Sequence, residues 1–487
     1  MSHSLSQLGG GADLTIHGPF RGADVRPGEP IRAKMLLDGS VTIAVQVWKI
    51  SPLAIELVNH PDVPLEVGAT VHLRLELGSQ VTSFEELKVA SVRWEHGREL
   101  IGLRWQEPPA PRPVSQRRAG DRWNVAEDYV PTATAVNPLR FNDLMLLRVN
   151  NISGHGLGLL TSLRNKHIVP GMHLDTTLTF PAVGHARVRV RTVHTRVVRE
   201  EGKQQLALGV ELENPDSYTK RMMGQYLLEV GPKLSLTHLR SSGLLVESAM
   251  RAVTYDYAST PEEYRQVLEL RKLAYSQAGK LATDLAIEDA GDEFDRRARI
   301  IVGRYGGEVV ASMRLMFHEA GDLMEHEQYI QLPDDLPPRD QIVEITRVCT
   351  HPDFRGSDLL LGLFKQCVIA ILQSGRQYLL GSSTAKLLPI YTRIGCRVLP
   401  VSYRHQGLGG DEHHLFVGDV RGALDGTYVG PFTWNIMFGD VWDHMRRNDL
   451  YHPGAMTSMR LGFYRMLNPL ARRMMARLKK PRKAPGK

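Results

Sequence analysis

Cysteine is nearly absent. Cys349, Cys367 and Cys396 are the three cysteines in 487 residues, too few and too scattered for a disulfide framework or a zinc site. Each lies in an apolar segment and reads as a small core residue. Nothing near Cys367 would lower its thiol pKa enough to make it an acyl-carrying nucleophile. No uninterrupted apolar run reaches membrane-spanning length, and the opening MSHSLSQLGGGADLTIHG lacks a basic end followed by an apolar stretch. The expectation is a chain that stays in the cytoplasm. Acidic residues are missing from one region: Arg460 to Lys487 hold ten Lys or Arg and no Asp or Glu. That stretch accounts for the net charge of +7 and leaves the rest close to neutral. No basic surface interleaved with aromatics stands outside it, so nucleic acid is not an expected partner.

What is present suits a soluble chain of several domains. Hydrophobic residues make up 42% and charged residues 23%, ordinary for globular proteins. After a flexible N-terminus (1–29), residues 30–106 alternate apolar and polar, as in TIAVQVWKI and ATVHLRLEL, the period of an antiparallel β-domain. EPPAPRPVSQ (107–116) is a proline-rich linker, and a second β-rich unit follows over 117–230. The two look like a repeat: VWKISPLAIEL matches VNNISGHGLGL, and LIGLRWQEP matches LALGVELENP. From about 250 to 425 helices alternate with strands. Thr260-Pro261-Glu262-Glu263 reads as a helix start with Thr as cap and Glu reaching back. ARIIVGRYGGEVVASMRLMF reads as a hairpin about Gly306-Gly307, IVEITRVCT as a strand, LLLGLFKQCVIAIL as a buried helix, YLLGSS as a strand, and KLLPIYTRIG as a short helix before one final strand. Two β-barrels, an α+β domain with a mixed sheet, and a basic helical tail (430–487) are the expected architecture.

Two motifs in the second β-unit carry chemistry. Gln116-Arg117-Arg118-Ala119-Gly120-Asp121-Arg122 has Arg-x-x-x-Arg, and Asn151-Ile152-Ser153-Gly154-His155-Gly156 has Asn-x-Ser-x-x-Gly. Guanidinium forks suit phosphate oxygens and the Hoogsteen edge of guanine, and Gly156 permits close backbone approach. Together these resemble the PilZ family, which binds cyclic di-GMP on a six-stranded barrel with a flexible arginine arm. The resemblance implies Arg118, Arg122, Asn151, Ser153 and Gly156 as ligand contacts. The first unit departs from it, with Lys49 and Ala54 where the motif has Asn or Asp and Gly, and with no arginine four residues after Arg32. It reads as a degenerate, non-binding PilZ-like or flagellar-brake-type barrel.

Residues 260–400 resemble acyl-homoserine-lactone synthases and N-acyl amino acid synthases, branches of the GNAT fold. The matching pieces are LRKLAY with Arg271, DEFD with Asp292 and Asp295, SMRL with Arg314, and EITR with Glu344 and Arg347. Arg271 interrupts an apolar helix stripe, so it needs an anionic partner, which Asp292 or Asp295 supplies. Glu344 sits in an otherwise apolar strand and is expected to take the proton of an attacking amine through water. Arg271, Asp292, Asp295 and Arg347 serve equally well as an ion-pair brace. Glu344 and Arg347 share a face only if the strand carries a bulge. Tyr391 stands where many GNAT enzymes place a general acid, and capping a helix from the core is its bland alternative. HPDFRGSDLLLGLF occupies the pyrophosphate loop of that fold, with Arg355 and Gly356 toward a phosphopantetheine arm. Asp358 and Leu360 replace later glycines, which favours an acyl carrier protein as donor over acyl-CoA.

The implied protein is a cyclic-di-GMP-responsive N-acyltransferase using an acyl-carrier or acyl-CoA thioester and no metal. The rival is a non-catalytic tandem-PilZ effector. The tail TSMRLGFYRMLNPLARRMMARLKKPRK, apolar and basic at helical spacing, suits peripheral contact with anionic membrane at its inner face, or with an acidic acyl carrier.

Overall fold

The computed structural model describes residues 23–24, 31–37, 41–51, 54–78, 80–105, 121–200, 202–282, 286–405, 409–467 and 469. It divides into two units, Met1–Glu247 and Ser248–Lys487. Among the described residues no helix is long and apolar enough to cross a membrane, and no group of three or more His, Cys, Asp or Glu is placed to hold a metal ion.

The first unit holds two antiparallel sheets. Alternation sets their faces: in Ile31–Leu37, Ile31, Ala33, Met35 and Leu37 point inward while Arg32 and Lys34 face solvent. Met35, Leu73 and Leu75 are fully buried, where truncation to Ala costs about 2–5 kcal/mol each. In the second sheet, strand Thr132–Asn137 pairs with both His173–Phe180 and Arg140–Ser153, closing a six-stranded barrel. Short strand Arg122–Asn124 adds at one side. The strand order is the same in both sheets. Val47–Ile50, Ala54–Val58, Arg98–Arg104, Gln80–Glu95, Thr70–Leu77 and Ile31–Leu37 run in the sequence that Arg140–Ser153, Gly156–Ser162, Lys203–Glu213, Gly184–Glu200, His173–Phe180 and Thr132–Asn137 repeat. Helix Ser217–Val230, capped by Asp216, follows the second barrel and buries Tyr226 against Phe180.

The second unit is α+β around a seven-stranded sheet. Helix Pro261–Gln277 starts on the expected box: Thr260 Oγ1 accepts from Glu263 N at 3.1 Å, and Glu263 Oε2 accepts from Thr260 N at 3.3 Å. Its apolar face packs Val267 and Leu270 against Ile300, Val302 and Val309 of the sheet. Strands Arg299–Tyr305 and Glu308–Phe317 form the hairpin, with Gly306 and Gly307 at φ 56° and 83°, the left-handed pair that a tight hairpin turn requires. Strands Ile342–Thr350 and Tyr378–Thr384, helix Leu359–Gln373 and short helix Leu388–Arg393 follow as read. The one final strand is corrected to two, Cys396–Arg404 and Glu412–Asp419, paired as a hairpin about Gly409 and Gly410. Tyr403 and Leu415 from this hairpin bury against Met324, Ile342 and Leu380. All three cysteines are free and buried. Helices Pro431–Met437, Gly439–Arg447 and Ala455–Met466 close around buried Trp434, so the start of the C-terminal region is a packed subdomain. The basic residues beyond 469 lie outside the described residues.

Candidate functional site

On the second barrel, five outward positions fall in one register row across neighbouring strands: Asn124, Asn151, Gly158, Gly209 and His194. The two glycines leave bare backbone between two polar side chains. A Cβ at Gly158 would stand 2.4 Å from Asn151 Nδ2, and one at Gly209 2.0 Å from the His194 ring, so each side chain lies over its neighbouring glycine. Among the described residues, Asn151 Oδ1 is buried without a hydrogen-bond partner. Burial, with the nearby Arg196 and Arg122 cations, lowers the His194 pKa, keeping its ring neutral. Bare backbone, an open amide oxygen, a neutral ring and two guanidinium groups together suit an anionic, base-bearing ligand. Ser153 plays another part: its Oγ donates to Gly156 O and accepts from Gly156 N, both at 3.0 Å, closing the turn between strands. Ser51 makes the same turn on Ala54 in the first sheet, at 2.8 and 2.9 Å. Arg118 lies outside the described residues; Arg122 is exposed beside the row.

The corresponding row in the first sheet is Lys49, Glu56, Gly102 and Ser91. Glu56 replaces Gly158, and Arg93 Nη2 donates to it at 2.5 Å. The space between strands is filled by an ion pair. Sequence reading missed Gly158, Gly209, His194 and Arg196, although a glycine inside a strand is the signal for close backbone approach.

In the second unit, strands Ile342–Thr350 and Tyr378–Thr384 pair in parallel from Ile342–Tyr378 to Ile345–Gly381, and the paired register stops there. Beyond that point the strand bulges against its other neighbour, and Arg347 takes φ 51°. A cavity of about 120 Å³ lies between the parted strands, lined on one side by Thr346, Arg347 and Val348 and on the other by Ser382, Ser383 and Thr384.

Arg347 and Glu325, both lining the cavity, belong to a balanced cluster of three arginines and three carboxylates. Arg271, fully buried, donates to both Asp295 oxygens at 2.7 and 3.0 Å. Arg314 donates to Asp292, to Asp295 Oδ1 at 3.0 Å, to Glu325 Oε2 at 2.6 Å and to Thr346 Oγ1 at 2.8 Å. Arg347 Nη2 donates to Asp292 Oδ2 at 2.7 Å. Burial opposes ionisation of Asp295, but Arg271 and Arg314 outweigh it and bring its pKa down to about 2. Arg314 and Arg347 lower Asp292 likewise against burial. Glu325 was not singled out from the sequence, since only the folded chain brings it to Arg314.

Glu344 is enclosed and does not line the cavity. It accepts from His318 Nε2 at 2.7 Å, from the backbone N–H groups of Glu325 and His326 at 3.0 Å, and from His326 Nδ1. Burial alone would raise its pKa, yet His326 and His318 hold it well below the carboxylate range. The same pairing raises His326 against burial. Glu344 is thus an ionised acceptor with its lone pairs engaged. Tyr391 lines the cavity, stacked on Phe416 at 4.1 Å, and burial pushes its hydroxyl pKa up. Arg355 and Gly356 stand exposed in the turn before helix Leu359–Gln373 and do not line the cavity. Asp358 is turned aside, accepting from Ser248 Oγ at 2.6 Å and Met250 N at 3.0 Å.

Residues 266–415, less than half of the chain, match the model of a family described as N-acyl amino acid synthase FeeM. The second unit therefore carries an N-acyltransferase domain, and the protein is an enzyme of that class. No curated protein is similar enough to count as a match. Among solved structures, the chain is similar to FeeM, an N-acyl amino acid synthase from uncultured soil microbes, at 11% identity and a TM-score of 0.29, over 36% of this chain and 94% of that one. It is similar to the MrkH–c-di-GMP complex of K. pneumonia at 14% identity and a TM-score of 0.22, over 41% of this chain and 86% of that one. It is similar also to a GNAT family acetyltransferase from Elizabethkingia anophelis with acetyl-CoA bound, at 15% identity and a TM-score of 0.23, over 34% of this chain and 98% of that one.

Proposed function

We propose that the protein transfers a fatty acyl group from a thioester, carried by an acyl carrier protein or coenzyme A, to the nitrogen of an amine or amino acid, and that its second barrel binds cyclic di-GMP as a regulatory ligand. The observation that carries the transferase half is the parting of two parallel strands around a cavity with Arg347 and Tyr391 in its walls. Strand edges facing a gap offer N–H and C=O groups to the amides of a pantetheine arm. Its phosphate would sit by Arg355 and Gly356 at the start of helix Leu359–Gln373, where backbone N–H groups favour an anion.

The amine nitrogen attacks the thioester carbonyl, the N–C bond forms and the C–S bond breaks. The nitrogen loses one proton and the departing sulfur gains one. Tyr391, kept protonated by burial, is the donor to sulfur. Arg347 holds the acceptor, and Arg271, Arg314, Asp292 and Asp295 act by fixing Arg347 in its left-handed backbone position. Glu344 braces the turn that bears Glu325 and His326 and takes no part in the transfer. The ligand half rests on Asn151 Oδ1, buried and open beside the bare Gly158–Gly209 floor.

Purified protein offered acyl-carrier and acyl-CoA thioesters with a panel of amines and amino acids is expected to yield an N-acyl product, read by intact mass. No product with any donor would overturn the reading in favour of a non-catalytic effector.

A further inference from the structure

Among the described residues, three side chains lining the cavity each carry a buried polar atom with no hydrogen bond to another residue: His405 Nδ1, His413 Nε2 and Arg347 Nε, the last lying 3.9 Å from Glu325 Oε1. The histidines are 5% and 8% exposed. Buried polar atoms are nearly always paired, and three orphans around one cavity mark the place a polar ligand fills. Their chemistry is specific. Arg347 Nε is a donor, and a neutral imidazole nitrogen without its proton is an acceptor.

The two rings are held as a unit. His405 and His413 lie with centroids 5.7 Å apart, and Tyr403 sits 6.1 and 5.8 Å from them. Ser382 Oγ bonds Tyr403 OH at 2.8 Å and lies 3.5 Å from His413 Nδ1, which turns the other nitrogen of that ring away from Ser382. Tyr329 stacks on Tyr403 at 5.0 Å and approaches His405 at 4.8 Å. Neither histidine is used in the steps described above.

Their surroundings keep both rings unprotonated. Burial comes first, lowering each pKa to about 4. Around His405, Arg347 and His326 lower it further, and Glu325 and a hydrogen bond with the residue's own backbone oppose them. Around His413, Lys280, His405 and His326 lower it and Asp411 opposes them. Lys280 is itself paired to Asp411 at 3.4 Å. At neutral pH both rings are uncharged, and each offers a lone pair at one of its two nitrogens.

We propose that His405 and His413 form the seat of the acceptor amine, accepting its N–H groups so that a primary amine is bound in its neutral, nucleophilic form. This rests on the acyl-transfer reading for its place in catalysis, while the binding itself stands apart from it. A protonated ammonium has no lone pair to attack with, and the Arg347 and Lys280 cations, which line the same cavity with Glu325, add to the bias of the two uncharged rings against it. As the N–C bond forms, the nitrogen turns acidic and its proton passes to the imidazole accepting it. The C–S bond breaks and the sulfur leaves with a proton from Tyr391.

The test has two independent readouts on the full chain. In steady state, His405→Ala should raise the KM for amine by about tenfold, the scale of one lost hydrogen bond to a buried group, and lower turnover, with the KM for thioester unchanged. His405→Asn keeps an acceptor near Nδ1 and should restore the amine KM while turnover stays low. Activity should rise with pH along the amine's own ionisation, well above neutral. Independently of turnover, histidine ring resonances assigned through His405→Asn and His413→Gln should shift saturably on titration with butylamine, glycine or phenylalanine. If those resonances do not move, or if His405→Ala leaves the amine KM alone and raises that of the thioester, the seat is overturned. Resonances that move in a protein giving no product would sustain the seat and overturn only the acyl-transfer reading.

Discussion

Glu56 and Gly158 hold the same position in two copies of one strand pattern, in register rows that run Lys49, Glu56, Gly102, Ser91 in the first sheet and Asn151, Gly158, Gly209, His194 in the barrel. In the first copy the side chain fills the space and pairs with Arg93 at 2.5 Å. In the second, among the described residues, the neighbouring Asn151 and His194 side chains lie over it.

Gly158→Glu should therefore give the barrel the filled row of the first sheet. Calorimetry with cyclic di-GMP is expected to show binding by the wild type, none by Gly158→Glu, and a loss of tenfold or more in Asn151→Ala and Arg122→Ala, each removing one polar or charge-assisted contact. Equal affinity in all four proteins would remove the receptor assignment.

The arginine–carboxylate cluster predicts an acid limit to stability. Asp295 has its pKa depressed to about 2, against an unfolded value of about 3.9. Its contribution is present in full above about pH 4 and is lost as pH falls through about 2, on the order of 2 kcal/mol. Asp292 shifts the same way. Asp295→Asn should flatten this acid slope and lower stability at neutral pH by about 3–5 kcal/mol, because Arg271 is left buried without its counter-charge. Denaturant melts at several pH values would show both changes. A parallel acid slope in the variant would contradict the assignment.

Glu344 and Tyr391 should separate cleanly by readout. Glu344→Gln removes the counter-charge of His326 and should lower the melting temperature, with activity per folded molecule near that of the wild type. Tyr391→Phe keeps the ring stacked on Phe416 and should leave melting unchanged while lowering turnover about a hundredfold. The reverse pattern would make Glu344 the proton acceptor expected from its strand position.

Helix Ala455–Met466 buries Leu461 and leaves Met456, Met459, Phe463 and Met466 each more than half exposed on one face. The basic stretch to Lys487 continues from it. Flotation with anionic vesicles is expected, weakened by salt and lost when Met456, Met459 and Phe463 are changed together to Ser. Equal flotation of wild type and triple variant would exclude this face.

How much of this was legible in sequence follows from the range of the interactions. Alternation, the Thr260 box and the Gly306-Gly307 turn are local, decided by backbone sterics and neighbouring hydrogen bonds, and they were read directly. The charged residues of the second unit were legible one by one, because a lone Arg271 or Glu344 in an apolar run demands a partner. Which partner each takes was decided only by the tertiary structure. The bulge that places Arg347 at φ 51°, the turn that brings Glu325 to Arg314 and closes His326 over Glu344, and the hairpin that carries His405 and His413 to the same cavity all depend on contacts far apart in the chain. A side chain's type is written in the sequence, but its protonation and its freedom to meet a ligand depend on burial and on neighbours that only folding supplies.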